Sequence, residues 1–330
     1  MSTTPPAPAV SIGLPVRNGE RYLDATIRSI RAQHFADLEL IICDNASTDA
    51  TAEIARAHAS ADPRVTFHRQ PRNLGAGPNY DDCFHRARGR YFKWAAHDDL
   101  LAPDYLARAV AALDAAPEAV LCTTAITEIG PDDEVLRVYA NRFPGIDAAH
   151  PARRLAAVIH TTHQCEDFFG VFRRAALLGS GLHGTYSGSD RVLLAEMALR
   201  GPWVAVEAPV FLHREHPLRY TRALLLRDRR EAALWQDTSG AARQAGTQFH
   251  LTVWRHYWRA VARSVPDAAT RRACQAELLR WWCTGGHAAD VARDLARAAS
   301  PALFEALRRA KRGVIGAARR PEPGALPPAG

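Results

Sequence analysis

Residues 91–100 read Tyr-Phe-Lys-Trp-Ala-Ala-His-Asp-Asp-Leu, a short apolar run that ends in two adjacent carboxylates, Asp98 and Asp99. A run of this length before a turn and a helical pattern is typical of a buried strand. Two like charges at a strand end repel each other. A divalent cation such as Mg²⁺ or Mn²⁺ would relieve this repulsion, with diphosphate oxygens completing its coordination. The alternative is that the pair caps a helix beginning at Pro103.

The same alternation of apolar runs and helical patterns extends outward on both sides of this stretch. It predicts an α/β fold with a largely parallel central sheet, whose ligands bind beyond the carboxyl ends of the strands. The residues that follow those ends are 15–18, 44–47, 69–75 and 97–99. The predicted strands are Val10–Leu14, Leu38–Cys43, Val65–His68, Tyr91–Trp94 and Val120–Thr124, and the predicted helices are Tyr22–Ala32, Thr48–Ala59, Asn79–Ala87 and Pro103–Ala115.

The rest of the chain divides by composition. Residues 1–9 are polar and Pro-rich, and we expect them to be disordered. In the middle section a turn at 131–133 separates two strands, and the Gly- and Ser-rich segment 179–188 predicts a loop that faces the substrate. Residues 218–319 carry aromatic side chains at helical spacing, which predicts a helical C-terminal region, and residues 320–330 predict a disordered tail.

Charge and composition exclude few partners. The 330 residues contain 42 Lys+Arg against 35 Asp+Glu, a net charge of +7, and charge alone does not identify a ligand. Nucleic acid is the weakest candidate, because Trp254, Tyr257 and Trp258 have the helical spacing of core or interface residues. The six scattered cysteines predict buried free thiols.

Neither a secretory signal nor an uncharged apolar run of ~20 residues is present in the sequence. We therefore predict a cytoplasmic protein, and leave open peripheral membrane contact and homo-oligomerisation through the helical C-terminal region.

Four segments, 10–18, 33–49, 72–79 and 89–99, resemble the family 2 glycosyltransferases in order and spacing. The resemblance extends over about the first 215 residues. It implies a GT-A nucleotide-diphospho-sugar transferase fold at 10–217, with a nucleotide-sugar half at 10–124 and an acceptor half at 125–217. The implied reaction is a single transfer, with inversion, from a nucleotide-diphosphate sugar. Neither the donor sugar nor the acceptor, whether a small molecule, a glycan or a lipid-linked group, follows from the sequence.

The resemblance also implies which residues bind the nucleotide sugar. Asp44 would accept a hydrogen bond from the N3–H of uracil, and its alternative role is an Asx turn leading into Thr48. Arg72 would meet phosphate, or be an ordinary surface charge. The remaining nucleotide-binding candidates are Pro15, Arg17, Asn18, Glu20, Asn45, Ser47, Asn73 and Gly75.

The metal site departs from the family pattern. The family usually has Asp-x-Asp, and here Ala96 takes the place of the first Asp. We assign Asp98 to ribose or metal and Asp99 to metal, and expect His97 to pack beside them. In the segment 210–216, Arg214 would contact the diphosphate and His216 would be a metal ligand, although either can be structural.

Inversion needs a base that takes a proton from the acceptor hydroxyl. The segment 188–191 resembles the family's acidic motif, with Ser189 where many members have Glu, so we assign Asp190 as the base. Its alternative role is to cap a helix at Arg191–Leu199. Because Ala96 and Ser189 both depart from common residues, the alternative function is a nucleotide-sugar-binding or scaffolding protein without catalysis.

Other enzyme classes fit less well. The Gly-rich phosphate loops of kinases and dehydrogenases are missing from the sequence, since Gly75 and Gly77 are not followed by a third glycine at the right place. A processive synthase would carry a Gln-x-x-Arg-Trp motif, and Gln275 is too far from Arg280 and Trp281 to form one. A single-transfer enzyme therefore fits best.

Overall fold

The computed structural model describes residues 6–217, 219 and 249–300. Much of the predicted helical C-terminal region, the predicted tail at 320–330 and residues 1–5 lie outside the described residues. Ala9 precedes the first strand, and its carbonyl oxygen accepts a hydrogen bond from the N–H of Tyr91 at 2.9 Å.

The described strands and helices are numbered in chain order. The strands are β1 (Val10–Val16), β2 (Leu38–Asp44), β3 (Val65–Arg69), β4 (Tyr91–Trp94), β5 (Leu100–Leu101), β6 (Leu121–Ile129), β7 (Val135–Tyr139), β8 (Val171–Arg173) and β9 (Trp203–Arg214). The helices are α1 (Glu20–Arg31), α2 (Thr51–Ala61), α3 (Ala76–Arg86), α4 (Tyr105–Ala115), α5 (Pro151–Ile159), α6 (Arg174–Leu177), α7 (Ser189–Arg200), α8 (Phe249–Ser264), α9 (Ala268–Cys283) and α10 (His287–Ala299).

The nine strands form one sheet in the order β3-β2-β1-β4-β8-β6-β9-β5, with β7 paired to β6. Strands β1 to β4 pair in parallel, which confirms the α/β prediction for the first half. The second half is mixed: β6 and β9 pair in parallel, whereas β8 runs antiparallel to both β4 and β6. The prediction missed this change because strands of two or three residues, such as β5 and β8, are too short to show a periodic pattern.

The register of the parallel strands brings their carboxyl ends to one edge. Val16 at the end of β1 pairs with Asp44 at the end of β2, and Asp44 pairs in turn with Arg69 at the end of β3. Alternate side chains of these strands enter apolar clusters on opposite faces of the sheet, since successive side chains of a strand point in opposite directions. The polar residues just beyond the apolar runs therefore meet at this edge.

The predicted helices are confirmed, with their first residues displaced. Helix α4 begins at Tyr105 with Asp104 as its N-cap, so the alternative in which Asp98 and Asp99 cap a helix at Pro103 is wrong. The predicted turn at 131–133 does separate two strands, β6 and β7.

The C-terminal helices share a hydrophobic core with the second half of the sheet. Tyr257 of α8 and Trp281 of α9 are buried in the same cluster as Leu193 and Met197 of α7. Trp254 and Trp258 are partly buried and pack against that cluster, as aromatic residues at helical spacing should.

Two further findings concern the cysteines and the membrane. Five of the six cysteines are buried free thiols, as predicted, and Cys283 is exposed. Within residues 6–217 and 249–300, no helix has the length and apolar content needed to cross a bilayer.

Candidate active site

Reciprocal hydrogen bonds join the loops that follow β1 and β2. The N–H of Asn18 donates to Ser47 Oγ and the N–H of Thr48 donates to Asn18 Oδ1, both at 2.9 Å, while the N–H of Ala50 donates to Glu20 Oε2 at 2.9 Å. Asn18 adopts a positive φ of 53°, a conformation that Asn tolerates. In this structure Asn18, Glu20 and Ser47 therefore hold the two loops together at the strand ends. Nearby, Pro15 is buried within β1 and Arg17 is exposed.

Asp44 is fully buried, and its two carboxylate oxygens differ. Oδ1 accepts a hydrogen bond from the N–H of Ser47 at 2.9 Å, which is the local turn considered as its alternative role. Oδ2 has no hydrogen-bond partner, and the nearest cation is Arg69 Nε at 3.4 Å. Arg69 also donates to the carbonyl oxygen of Ser47 at 2.7 Å. Sequence reasoning missed Arg69, although its position at the end of an apolar run was a usable signal.

The loop after β3 is fastened to the end of β2 through two asparagines. Asn45 Nδ2 donates to Asn73 Oδ1 and to the carbonyl oxygen of Gly75, and the N–H of Leu74 donates to Asn45 Oδ1 at 2.8 Å. Gly75 has φ 91° and ψ 168° and precedes the first residue of α3. The three predicted residues Asn45, Asn73 and Gly75 thus form one interlocked turn, and Arg72 is exposed beside it.

The two adjacent carboxylates contact the end of β9. Asp99 Oδ1 accepts a hydrogen bond from the N–H of Arg214 at 2.9 Å and lies 3.0 Å from His213 Nδ1. Asp98 Oδ2 lies 2.9 Å from His216 Nε2. This meeting follows from the antiparallel pairing of β5 with β9, which places Leu100 opposite Leu212.

These contacts shift the ionisation of the buried groups. Burial alone would raise the pKa of Asp98, but the charges of His97, His216 and His213 and the hydrogen bond to His216 hold it well below its ordinary value. Burial alone would lower the pKa of His213, yet Asp99 raises it above its ordinary value. Sequence reasoning chose His216 in this segment and missed His213.

Arg214 differs most from its predicted role. Its side chain is 2% exposed, and its Nε donates to the carbonyl oxygen of Asp98 at 2.8 Å. The two terminal nitrogens reach the carbonyl oxygen of Gly130 at 3.0 Å and Asp133 at 2.5 Å. Its guanidinium also lies over the Tyr22 ring, 4.6 Å from the centroid. In this structure Arg214 holds the 131–133 turn against Asp98 instead of presenting a free guanidinium to a diphosphate.

His97 packs beside the carboxylates. Its ring lies against Gly19, where an added Cβ would stand 2.6 Å from His97 Cδ2. The hydroxyl oxygen of Thr26 lies 2.9 Å from the carbonyl oxygens of both His97 and Asp99, which share its one hydrogen. Helix α1 therefore fixes the backbone of the segment that carries the acidic pair.

Unsatisfied buried polar atoms concentrate at this edge of the sheet. Among the described residues, twelve buried side-chain nitrogens and oxygens have no hydrogen-bond partner, and six of them belong to residues at or next to this edge. An unsatisfied buried group costs about 1–3 kcal/mol, so such a concentration indicates a ligand or ion that completes the bonding. The six atoms are Tyr22 Oη, Asp44 Oδ2, Asn79 Oδ1, Asp99 Oδ2, His213 Nε2 and His216 Nδ1.

Asp190 lies in the first turn of α7. The N-cap of α7 is Gly188, so the alternative in which Asp190 itself caps the helix is wrong. Asp190 Oδ1 accepts a hydrogen bond from the N–H of Arg191 at 2.7 Å. Burial and then the charges of Asp98, Asp99 and Asp190, together with Cys83, raise the pKa of Tyr80.

The parallel first half of the sheet, its mixed second half and the acidic pair after β4 define a GT-A transferase fold. The sequence pattern of Glycosyl transferase family 2 matches residues 11–177, half of the chain, and the protein belongs to that family. Of its relatives, the chondroitin synthase of Escherichia coli is 38% identical over 97 residues, which cover 29% of this chain and 14% of that protein. Matches with eight such relatives cover 13% to 40% of each relative's length.

Solved structures share the fold at low sequence identity. S. aureus TarS 1–349 in complex with UDP-GlcNAc superposes with a TM-score of 0.62 at 14% identity, covering 88% of this chain and 79% of that one. The mannosyltransferase PcManGT from Pyrobaculum calidifontis, in complex with GDP-Man and Mn²⁺, superposes with a TM-score of 0.51 at 18% identity, covering 91% and 88%. The GT-A prediction is thereby confirmed, with the helical C-terminal region represented by α8, α9 and α10.

Proposed function

We propose that this protein transfers a sugar from a nucleotide-diphosphate donor to an acceptor hydroxyl, once per binding event and with inversion at the anomeric carbon. The observation that carries the proposal is the concentration of unsatisfied buried polar atoms, among them Asp44 Oδ2 and Asp99 Oδ2, at the strand ends of a family 2 chain. Ligands of open α/β sheets bind at this edge. The acceptor is a small molecule, a glycan or a lipid-linked group.

A uridine donor suits the nucleotide end of the site. Asp44 Oδ2 is a buried acceptor without a hydrogen-bond partner, and the N3–H of uracil is a donor that would satisfy it. The complexes of TarS with UDP and UDP-GlcNAc support this choice. Because PcManGT forms a complex with GDP-Man, the experiment below also includes a guanosine donor.

A divalent cation fits the residues at the acidic pair. Within the part of the chain that the structure describes, no group of three or more His, Cys, Asp or Glu side chains is arranged to hold a metal ion. The donor chemistry is nevertheless suitable, since Asp99 Oδ2 and His216 Nδ1 are buried without partners and Asp98 is adjacent. Carboxylate oxygens with an imidazole nitrogen match Mn²⁺, and carboxylates alone match Mg²⁺. When bound, the cation would neutralise charge on the leaving diphosphate.

Asp190 is the proposed general base. In the transfer, the acceptor oxygen forms a bond to the anomeric carbon while the bond from that carbon to the diphosphate oxygen breaks on the opposite face. The acceptor proton passes to the Asp190 carboxylate, and the electron pair of the broken bond leaves with the nucleoside diphosphate. This carboxylate lies in the first turn of α7, and the N-terminus of a helix interacts favourably with a negative group.

The test is a donor panel on the purified protein. Binding of UDP- and GDP-sugars is measured by thermal shift with and without Mn²⁺, and release of nucleoside diphosphate is measured on the same samples. We expect a metal-dependent shift with one donor class and slow release of its diphosphate. The matched variants are Asp99→Asn, which should lose the metal-dependent shift, and Asp147→Asn at an exposed position, which should keep it. A protein that binds no nucleotide sugar under any condition would refute the proposal.

The non-catalytic alternative keeps one specific observation in its favour. Ser189, where many family members have Glu, is fully buried with its Oγ 3.3 Å from His183 Nδ1. It therefore offers no second carboxylate beside Asp190. If the protein binds donor with Mn²⁺ yet never releases the diphosphate, to water or to any acceptor in a glycan and lipid panel, the binding function replaces the transferase.

A further inference from the structure

The loop at residues 179–188, here called the acceptor-side loop, joins α6 to α7 and so leads directly to Asp190. One side of it lies against α3. An added Cβ on Gly77 would stand 2.3 Å from the carbonyl oxygen of Gly184, and the N–H of His183 donates to Asp81 Oδ1 at 3.0 Å. The His183 ring stacks on Tyr80, with centroids 4.3 Å apart. Helix α3 itself begins directly after Gly75, which belongs to the interlocked turn of Asn45, Asn73 and Gly75.

The other side of the acceptor-side loop lies against α8. The rings of Tyr186 and His256 are stacked, with centroids 3.8 Å apart and an interplanar angle of 21°. Gly188 has a φ of +85°, and an added Cβ there would stand 2.9 Å from Val253 Cγ2 and 3.0 Å from the Phe249 ring. A larger residue at position 188 would therefore meet both backbone strain and the side chains of α8.

An ion pair between the buried Glu196 and the exposed Arg263 joins α7, α8 and the same loop. Glu196 is fully buried in α7, and its oxygens accept hydrogen bonds from Arg263 Nε at 2.9 Å and Nη2 at 2.6 Å. Ser264 Oγ lies 3.2 Å away, and the N–H of Gly181 donates to Glu196 Oε2 at 3.0 Å. One carboxylate therefore binds the beginning of the loop, the body of α7 and the end of α8.

We propose that α8 positions the catalytic base: the Tyr186–His256 stack and the Glu196–Arg263 ion pair hold the acceptor-side loop, and through it Asp190, at the reaction centre. The inference rests on the proposed function. Asp190 follows the loop by two residues, so a displacement of Gly188 moves the carboxylate directly. A base displaced by about 1 Å loses much of its rate advantage, whereas donor binding at the strand ends is unaffected. Tyr186 and His256 are thus positioning residues, and the C-terminal region is part of the acceptor half.

The chosen variant is His256→Ala, which removes the stack, with His256→Phe as the conservative rescue. Burial, and then the charges of Arg259 and Arg263, lower the pKa of His256 to about 4, so the stacked ring is neutral at neutral pH and Phe can replace it. Arg255→Ala, at an exposed position on the same helix, is the matched control.

Two measurements test the positioning role on the full chain. Amide hydrogen exchange of the acceptor-side loop should be roughly three- to tenfold faster in His256→Ala than in wild type, because an aromatic stack contributes about that factor. With UDP-GlcNAc, Mn²⁺ and water as the acceptor, kcat for UDP release should fall about tenfold while KM and the Kd for UDP stay within twofold. His256→Phe should restore both properties, and Arg255→Ala should match wild type.

The inference fails if loop exchange is unchanged in His256→Ala, or if exchange rises while kcat stays at the wild-type value. It also fails if Phe does not rescue. If the wild-type protein binds no nucleotide sugar, the proposed function is wrong. The hydrogen-exchange measurement alone then decides whether α8 holds the acceptor-side loop.

Discussion

The backbone N–H of Arg214 donates to Asp99 Oδ1 at 2.9 Å, while Asp99 Oδ2 is buried without a partner. One oxygen of this carboxylate therefore anchors the end of β9, and the other is the one proposed above to bind the cation. A similar division recurs at Asp44, where Oδ1 holds Ser47 and Oδ2 accepts no hydrogen bond but lies 3.4 Å from Arg69 Nε. Two carboxylates at separate strand ends are thus fixed by one oxygen each.

The first prediction concerns Asp99→Asn. The amide can keep the acceptor oxygen for the N–H of Arg214, but it removes the charge that a cation requires. We expect the free energy of unfolding of the free protein to change by about 1 kcal/mol or less, and the Mn²⁺-dependent stabilisation by donor to disappear. The measurement is a thermal shift with UDP, made with Mn²⁺, without Mn²⁺, and after EDTA has removed the metal. A variant that kept the full metal-dependent shift would show that the cation binds elsewhere.

The second prediction concerns Asp44→Asn. The amide oxygen can still accept from Ser47, but the amide nitrogen would replace Oδ2 as a donor and oppose the N3–H of uracil. We expect UDP affinity to fall by about 1–3 kcal/mol, roughly fivefold to 150-fold. Isothermal titration with UDP measures the loss. Equal affinity of the wild type and the variant would remove Asp44 from the base-binding site.

The third prediction concerns Asp190→Asn. Without a carboxylate to accept the proton, kcat should fall by about 10² to 10⁴, while the Kd for donor stays near the wild-type value. The measurement is diphosphate release at saturating donor, beside a binding titration. Ser189→Ala is the neighbouring control and should lose far less rate. An Asp190→Asn protein with near wild-type kcat would assign the base elsewhere.

The fourth prediction concerns Lys93, which is fully buried in β4, where its Nζ donates to the carbonyl oxygen of Phe169. Burial lowers the pKa of Lys93 to about 7, although Asp99 acts in the opposite direction. The Lys93 ammonium has a higher pKa in the unfolded chain than in the folded chain. Between pH 7 and pH 10 the unfolded chain therefore binds more protons, and the buried lysine lowers the free energy of unfolding. The wild type should gain stability as the pH rises from 7 to 10.

Lys93→Met removes that cost. We expect the variant to be more stable than the wild type at pH 7, by on the order of 4 kcal/mol, with the difference shrinking toward pH 10. Urea unfolding at pH 7, 8.5 and 10 measures it. A difference that does not change with pH, or a destabilised variant at pH 7, would show that the cation is satisfied by its contacts with Phe169 and with the rings of Tyr105 and Phe211.

Much of the site could be predicted because its residues follow apolar runs directly. Asp44, Asn45 and Asp98 stand within a few residues of a strand end, and the parallel register Val16 to Asp44 aligns those ends without any long-range choice. Helix and strand periods carry this information locally. The family resemblance supplied roles that periodicity could not.

The sequence by itself thus determined the α/β class, the edge of the sheet where the polar residues gather and the acidic pair. Tertiary structure alone decided that β5 pairs with β9, which brings His213 to Asp99 and directs Arg214 to the 131–133 turn. It also decided that Arg263 of α8 reaches Glu196 of α7. The physical reason is that a two-residue strand and an ion pair between distant helices leave no periodic pattern, so only packing between distant segments selects these partners.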